Sequence, residues 1–276
     1  MTCQDGIGLY CRVLGEGANS LLCLPGLART GRDFDGLAEF LPAGWRAVCP
    51  DHRGRGQSDR DPKAARYHTG TYARDALAWL DHLHIDQAVV LGSSFGGWVA
   101  LTVAARRPER VRGVILNDIG ATVPRDAALQ YMELMARRST PDTVDPAFNR
   151  QMRQARRAAP LLGVLCRLGM MRHSAPLVRG FRDAARGLDV PLLVLRGERS
   201  RVLTEAGAAE LRDLCPAMTL VTVEKAGHTP TLTEPAAVAA IRAFLGGLAS
   251  PVPDSVARPD ELALATADVE GHEKGK

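Results

Sequence analysis

Lysine is almost missing: four lysines stand against 31 arginines in 276 residues. With so skewed a supply of positive charge, no arginine marks function merely by being present. Aromatic residues make up only 5%, so Val, Leu and Ala must fill the core. The six cysteines (Cys3, Cys11, Cys23, Cys49, Cys166, Cys215) are scattered without a Cys-x-x-Cys pair. That spacing argues against a zinc site and against a disulfide framework, and suits free thiols in a reducing cytoplasm. No apolar run approaches the roughly 20 residues that cross a bilayer. No basic flank followed by an apolar stretch opens the chain, so no leader is expected and a cytoplasmic location is. A net charge of +4 without a recognisable module argues against nucleic-acid binding. Nothing in the pattern calls for a metal or an organic cofactor.

What is present is alternation. Short apolar runs bounded by Gly, Pro and Asp at 7–14, 20–24, 46–49, 88–92, 114–116, 191–195 and 218–223 read as strands. Several are apolar throughout, as strands buried on both faces must be. Helical periodicity falls between them at 72–83, 98–107, 206–214 and 235–248. Strand and helix in turn imply an α/β fold, a mostly parallel sheet with helices on both faces.

The alternation breaks over 121–187, a segment with twelve arginines against five acids. Apolar residues at helical spacing predict a helical cap inserted over the C-terminal edge of the sheet. The expected division is core at 1–120, cap at 121–187, core again at 188–249 and a disordered tail at 250–276. Arginines in the cap would suit an acidic substrate or form a solvated basic face. Met132, Met135, Met152, Met170 and Met171 would line an adaptable pocket or simply pack.

Three short stretches carry chemistry. Gly92-Ser93-Ser94-Phe95-Gly96 follows a strand and precedes a helix, the context in which G-x-S-x-G throws a serine out above a sheet. The Phe95 amide then faces the same space as a candidate oxyanion donor. Gly227-His228-Thr229-Pro230 follows the last strand and offers His228 as general base at that edge. Leu24-Pro25-Gly26-Leu27 is a tight turn after an early strand, with the Leu27 amide as second oxyanion donor. Each also has an ordinary reading as a turn. His82, His84, His173 and His272 suit solvated or structural roles.

Together with DHRGRGQSD at 51–59, LNDIG at 116–120 and AGHTPTL at 226–232, these stretches resemble the α/β-hydrolase superfamily of esterases, lactonases and related enzymes. The resemblance covers residues 5–248 and implies that Asp51, Arg53 and Ser58 shape a structural loop, with His52 as a possible pocket residue. It also implies an acid in the loop after the penultimate core strand. That loop reads Gly197-Glu198-Arg199-Ser200-Arg201, with serine and arginine where the acid is expected. Asp118, at the end of the strand after the nucleophile helix, is the leading candidate, Glu198 or Glu205 the next, and no working acid the remaining option.

The expected activity is a cofactor-independent serine hydrolase acting on a small ester, lactone or related acyl compound, or on a C–C bond. Ser94, His228 and Asp118 would be catalytic. A lyase, cyclase or cofactor-free oxygenase using His228 as base is the second class, and a ligand-binding protein without turnover the third. Serine rather than aspartate at the elbow argues against a dehalogenase.

Overall fold

The computed structural model describes residues 1–27, 29–124 and 174–248. Seven strands form one sheet: β1 (Cys11–Leu14), β2 (Asn19–Leu24), β3 (Trp45–Pro50), β4 (Ala88–Ser93), β5 (Val111–Asn117), β6 (Leu192–Gly197) and β7 (Thr219–Val223). Their order is β1-β3-β2-β4-β5-β6-β7, with β1 antiparallel to β3 and every other pair parallel. Among the described residues five α-helices accompany them: α1 (Thr69–His82), α2 (Phe95–Arg106), α3 (Ser174–Arg186), α4 (Glu205–Leu214) and α5 (Pro235–Gly247). A 3-10 helix spans Gly31–Glu39.

The apolar strands are uniform because each feeds two cores. Leu22, Leu24, Val90, Val114, Leu116 and Val194 point to one face, where α1, α2 and α4 cover them. Leu21, Cys23, Val89, Leu91, Ile115 and Leu193 point to the other, under α5 and the 3-10 helix. Alternate residues thus serve opposite layers, and neither set tolerates a charge.

One expectation needs adjustment. The run at 7–14 is not one strand: only Cys11–Leu14 joins the sheet, while Gly8 forms an isolated antiparallel bridge with Thr2 and gives its amide to the Asp59 carboxylate at 2.9 Å. Of the expected cap, 121–124 and 174–187 are described, and 174–186 is helical. The remainder of the cap, its methionines, and the tail lie outside the described residues. Arg182 and Arg186, on α3, pair with Glu210 and Asp183.

This topology decides where chemistry can occur. The parallel strands β2, β4, β5, β6 and β7 all end at one edge, so the residues that follow them converge. The turn after β2, Ser94 after β4, Asp118 after β5, the 198–203 loop after β6 and His228 after β7 share that edge.

Candidate active site

Ser94 sits between β4 and α2 with φ 50° and ψ −119°, a left-handed backbone that a serine adopts at a cost of about 1–3 kcal/mol. The flanking glycines make the turn sterically possible. A Cβ on Gly92 would lie 2.3 Å from the Gly96 carbonyl oxygen, and one on Gly96 only 2.0 Å from that of Leu24. The Ser94 amide donates to the Asn117 carbonyl at 2.9 Å, tying the elbow to the end of β5.

His228 reaches the serine from the loop after β7. Its Nε2 lies 2.8 Å from Ser94 Oγ, and its Nδ1 lies 2.7 Å from Asp118 Oδ2. An ionised carboxylate only accepts, so Nδ1 carries the proton and, in the neutral ring, Nε2 is left to accept from the serine hydroxyl. Asp118 is fully buried, with φ 61°, a conformation that aspartate tolerates better than most residues. A carboxylate stripped of water needs replacement donors. Asp118 Oδ1 accepts the Gly197 amide at 2.9 Å, and Oδ2 accepts the Ser200 hydroxyl at 2.6 Å.

The other two candidate acids point elsewhere. Glu198 accepts the Lys225 amide at 2.8 Å, and the Glu205 side chain is 91% exposed, 3.9 Å from Arg196. Of the three carboxylates weighed from the sequence, Asp118 is the one that the fold brings to the histidine.

The turn after β2 lies against the elbow: a Cβ on Gly26 would stand 3.8 Å from Ser94 Cβ. Its three consecutive carbonyls are all engaged. Pro25 O lies 3.1 Å from His52 Nε2, Gly26 O accepts the Arg29 amide at 3.0 Å, and Leu27 O accepts Arg55 Nε at 2.9 Å. A turn held at three successive carbonyls has a fixed amide direction, as an oxyanion donor requires. Phe95 opens α2, where backbone amides have no partner within the helix and the helix dipole is positive.

His52 is therefore a packing residue rather than a group free in a pocket. It packs against a tilted Tyr72 ring and an edge-on Phe95 ring, with centroids 4.7 and 6.3 Å away. Burial, aided by the Arg55 charge, pushes its imidazole down to about 3, so it stays neutral and Nε2–H donates to Pro25 O. Asp51 accepts the Gly31 and Gln57 amides at 2.8 and 2.9 Å, and Ser58 Oγ donates to Asp51 O at 2.7 Å. Trp98 packs on Phe181 and donates to Gly120 O at 3.1 Å.

Sequence reasoning missed three residues here. Asn117 donates to Ser93 Oγ and to Pro230 O at 3.1 and 3.0 Å, joining the elbow to the histidine loop. Ser200 and Arg55 are the others. Asparagine directly before the candidate acid, and serine standing where an acid was expected, were the signals available. Among the described residues no three His, Cys, Asp or Glu side chains gather as a metal site would require. No helix among them is long and apolar enough to cross a membrane. The five described cysteines are free, with Cys23 and Cys49 buried.

A profile of the alpha/beta hydrolase fold matches residues 19–157. The chain belongs to the α/β-hydrolase family. It is 30% identical over 266 residues to the 3-hydroxybutyrate-oligomer hydrolase of Cupriavidus necator, covering 84% of this chain and 91% of that protein. It is 27% identical to the 2-(acetamidomethylene)succinate hydrolase of Mesorhizobium japonicum, over 80% of this chain and 85% of that one. A crystal structure of an α/β hydrolase from Novosphingobium aromaticivorans superposes with a TM-score of 0.67 at 30% identity, covering 89% and 96% of the two chains. These relatives are hydrolases, and membership in the family supports an enzyme.

Proposed function

We propose that this α/β hydrolase is a serine hydrolase that cleaves a carboxylic ester, lactone or related acyl bond, with Ser94 as nucleophile, His228 as base and Asp118 as the orienting acid. One observation carries the reading: an unbroken path from Ser94 Oγ through the imidazole to Asp118, with contacts of 2.8 and 2.7 Å. The relatives' names support it, since the whole-length relative from Cupriavidus necator is a hydrolase of 3-hydroxybutyrate oligomers. Such oligomers, and p-nitrophenyl butyrate, are the first substrates to assay.

In the acylation step Ser94 Oγ attacks the carbonyl carbon while its proton passes to His228 Nε2. The imidazolium that forms is balanced by Asp118, which keeps its own charge. The Leu27 and Phe95 amides receive the developing oxyanion. Collapse of the tetrahedral species expels the leaving group, which takes the proton from Nε2. Water, deprotonated by the same nitrogen, then releases the acid and restores the serine. The non-hydrolytic reading rests on the Ser200-Arg201 departure, and the Asp118 carboxylate beside His228 weakens that support.

The test is intact-mass labelling with a fluorophosphonate. Wild type should label once and quickly; Ser94→Ala should not label, and His228→Ala should label at least about 10³-fold more slowly. A wild type that never labels refutes the activated serine.

A further inference from the structure

Ser200 stands where an acid was expected, and its hydroxyl is not idle. Its Oγ accepts the amides of Val202 and Leu203, both at 3.1 Å, and lies 2.6 Å from Asp118 Oδ2. A serine hydroxyl has two acceptor sites and one proton. The two amides take both acceptor sites, so the proton must point at Asp118. The same carboxylate oxygen receives His228 Nδ1–H at 2.7 Å. Two donors therefore share one oxygen, and one of them is polarised by two backbone amides behind it.

We propose that Ser200 is a positioning residue that sets the working pH of this site: its hydroxyl draws on Asp118 Oδ2 and so moderates the hold of that carboxylate on the imidazole. The proposal rests on the serine-hydrolase reading above. The physical reason is a competition for charge. A carboxylate oxygen with a second strong donor presents less negative charge to the first, and an imidazolium beside it is less stabilised. The Gly197 amide holds the other oxygen, so Asp118 stays in place when the Ser200 hydroxyl is removed. What changes is how firmly His228 keeps a proton, and a base that keeps its proton cannot activate Ser94.

Among the described residues, the charged groups of the elements around the site are common to wild type and variants: Glu198, Arg199 and Arg201 in the loop after β6, Glu224 and Lys225 before the histidine, Glu234 beyond it, and Arg29 in the turn beside Ser94. Glu198 is engaged by the Lys225 amide, and Glu234 accepts the Thr231 amide at 2.9 Å. A difference between variants at residue 200 therefore reports on the hydroxyl.

The experiment follows the fluorophosphonate labelling rate of the full chain from pH 5 to 10, with thermal melts as the folding control. Ser200→Ala should raise the midpoint of the acidic limb by about half to one pH unit, the scale of one hydrogen bond to a charged group shared between two states. Well below that midpoint labelling should then fall about three- to tenfold, and well above it return to the wild-type rate. Ser200→Thr, which keeps the hydroxyl, should leave the limb in place. If Ser200→Ala does not fold, Ser200→Cys, a weaker donor of similar size, should show the same upward displacement in smaller measure. A limb that stays put or moves down, or Thr and Ala displaced alike, overturns the proposal. A wild type that does not label refutes the underlying reading instead.

Discussion

Among the described residues, two of the buried carboxylate networks are built from opposite materials. Asp118 is held by donors that carry no permanent charge: the Gly197 amide, the Ser200 hydroxyl and the His228 Nδ1–H. Arg53, equally buried, is held by three aspartates, with Nε and Nη2 on the two oxygens of Asp75 at 2.7 and 2.5 Å and Nη1 on Asp61 and Asp5 at 2.6 and 2.9 Å. Burial opposes the Arg53 charge, and the bonds to Asp75 and Asp5 more than offset it, raising the guanidinium above its ordinary range. The contrast shows what a buried negative charge is available for. Where a permanent cation neutralises it, the carboxylate fixes the loop at 51–61 and has nothing left to offer. Where neutral dipoles hold it, its charge remains to stabilise a positive charge that forms only transiently, as the proposed role of Asp118 demands.

The largest expected effect comes from Asp118→Asn. Asparagine tolerates the left-handed backbone but cannot balance an imidazolium, so kcat should drop on the order of 10⁴-fold, as in the serine-protease template. Melting should change far less, and an enzyme assay beside a thermal melt checks both. Unchanged labelling would remove Asp118 from the mechanism. The converse change is Arg53→Leu, which strands Asp75 without its bidentate partner and leaves Asp61 only the longer contact to Arg66 at 3.7 Å. Breaking a buried ion pair from one side costs about 3–5 kcal/mol, read as a lower midpoint in urea, while the labelling rate per folded molecule should stay within about twofold. If Arg53→Leu were instead stable and inactive, the division between a structural and a reactive network would be lost.

How much of this was legible depended on whether the signal was local. Strands buried on both faces announce themselves as unbroken apolar runs, and β4, β5 and β6 lie where those runs are. Their ends were read short because Ser93, Asn117 and Gly197 complete the ladders without apolar side chains. Helices α1 and α2 likewise begin three residues earlier than their apolar periodicity does, at Thr69 and Phe95. The 3-10 helix at Gly31–Glu39 was missed altogether, since Gly, Arg and Asp there read as loop. Within the site, Ser94 and His228 were visible because glycine-flanked turns mark them, and Asp118 because strand order puts it on the shared edge. Ser200 and Arg55 were not, because their partners lie 82 and 28 residues away in the chain. Nothing in a five-residue window says which carboxylate or carbonyl will arrive.

The smallest expected effect concerns a third buried group held by a neutral partner alone. His52 donates to the Pro25 carbonyl and, because burial and then Arg55 push it down to about 3, remains uncharged in the folded protein. The unfolded chain binds a proton at this residue below the ordinary histidine value of about 6.5. Stability contributed by His52 is therefore complete above that pH and erodes as pH falls toward 3, by at most about 1.4 kcal/mol per unit. His52→Gln keeps an N–H for Pro25 O and removes the titration. Urea unfolding at pH 7, 6, 5 and 4.5 should show the variant slightly less stable at pH 7, with a shallower decline toward acid, the two curves closing or crossing. Parallel curves would mean that folded His52 takes up its proton as readily as the unfolded chain does. The Pro25 carbonyl would keep its donor, since both nitrogens of an imidazolium carry protons, but the neutral-dipole principle drawn from Asp118 would not extend to His52.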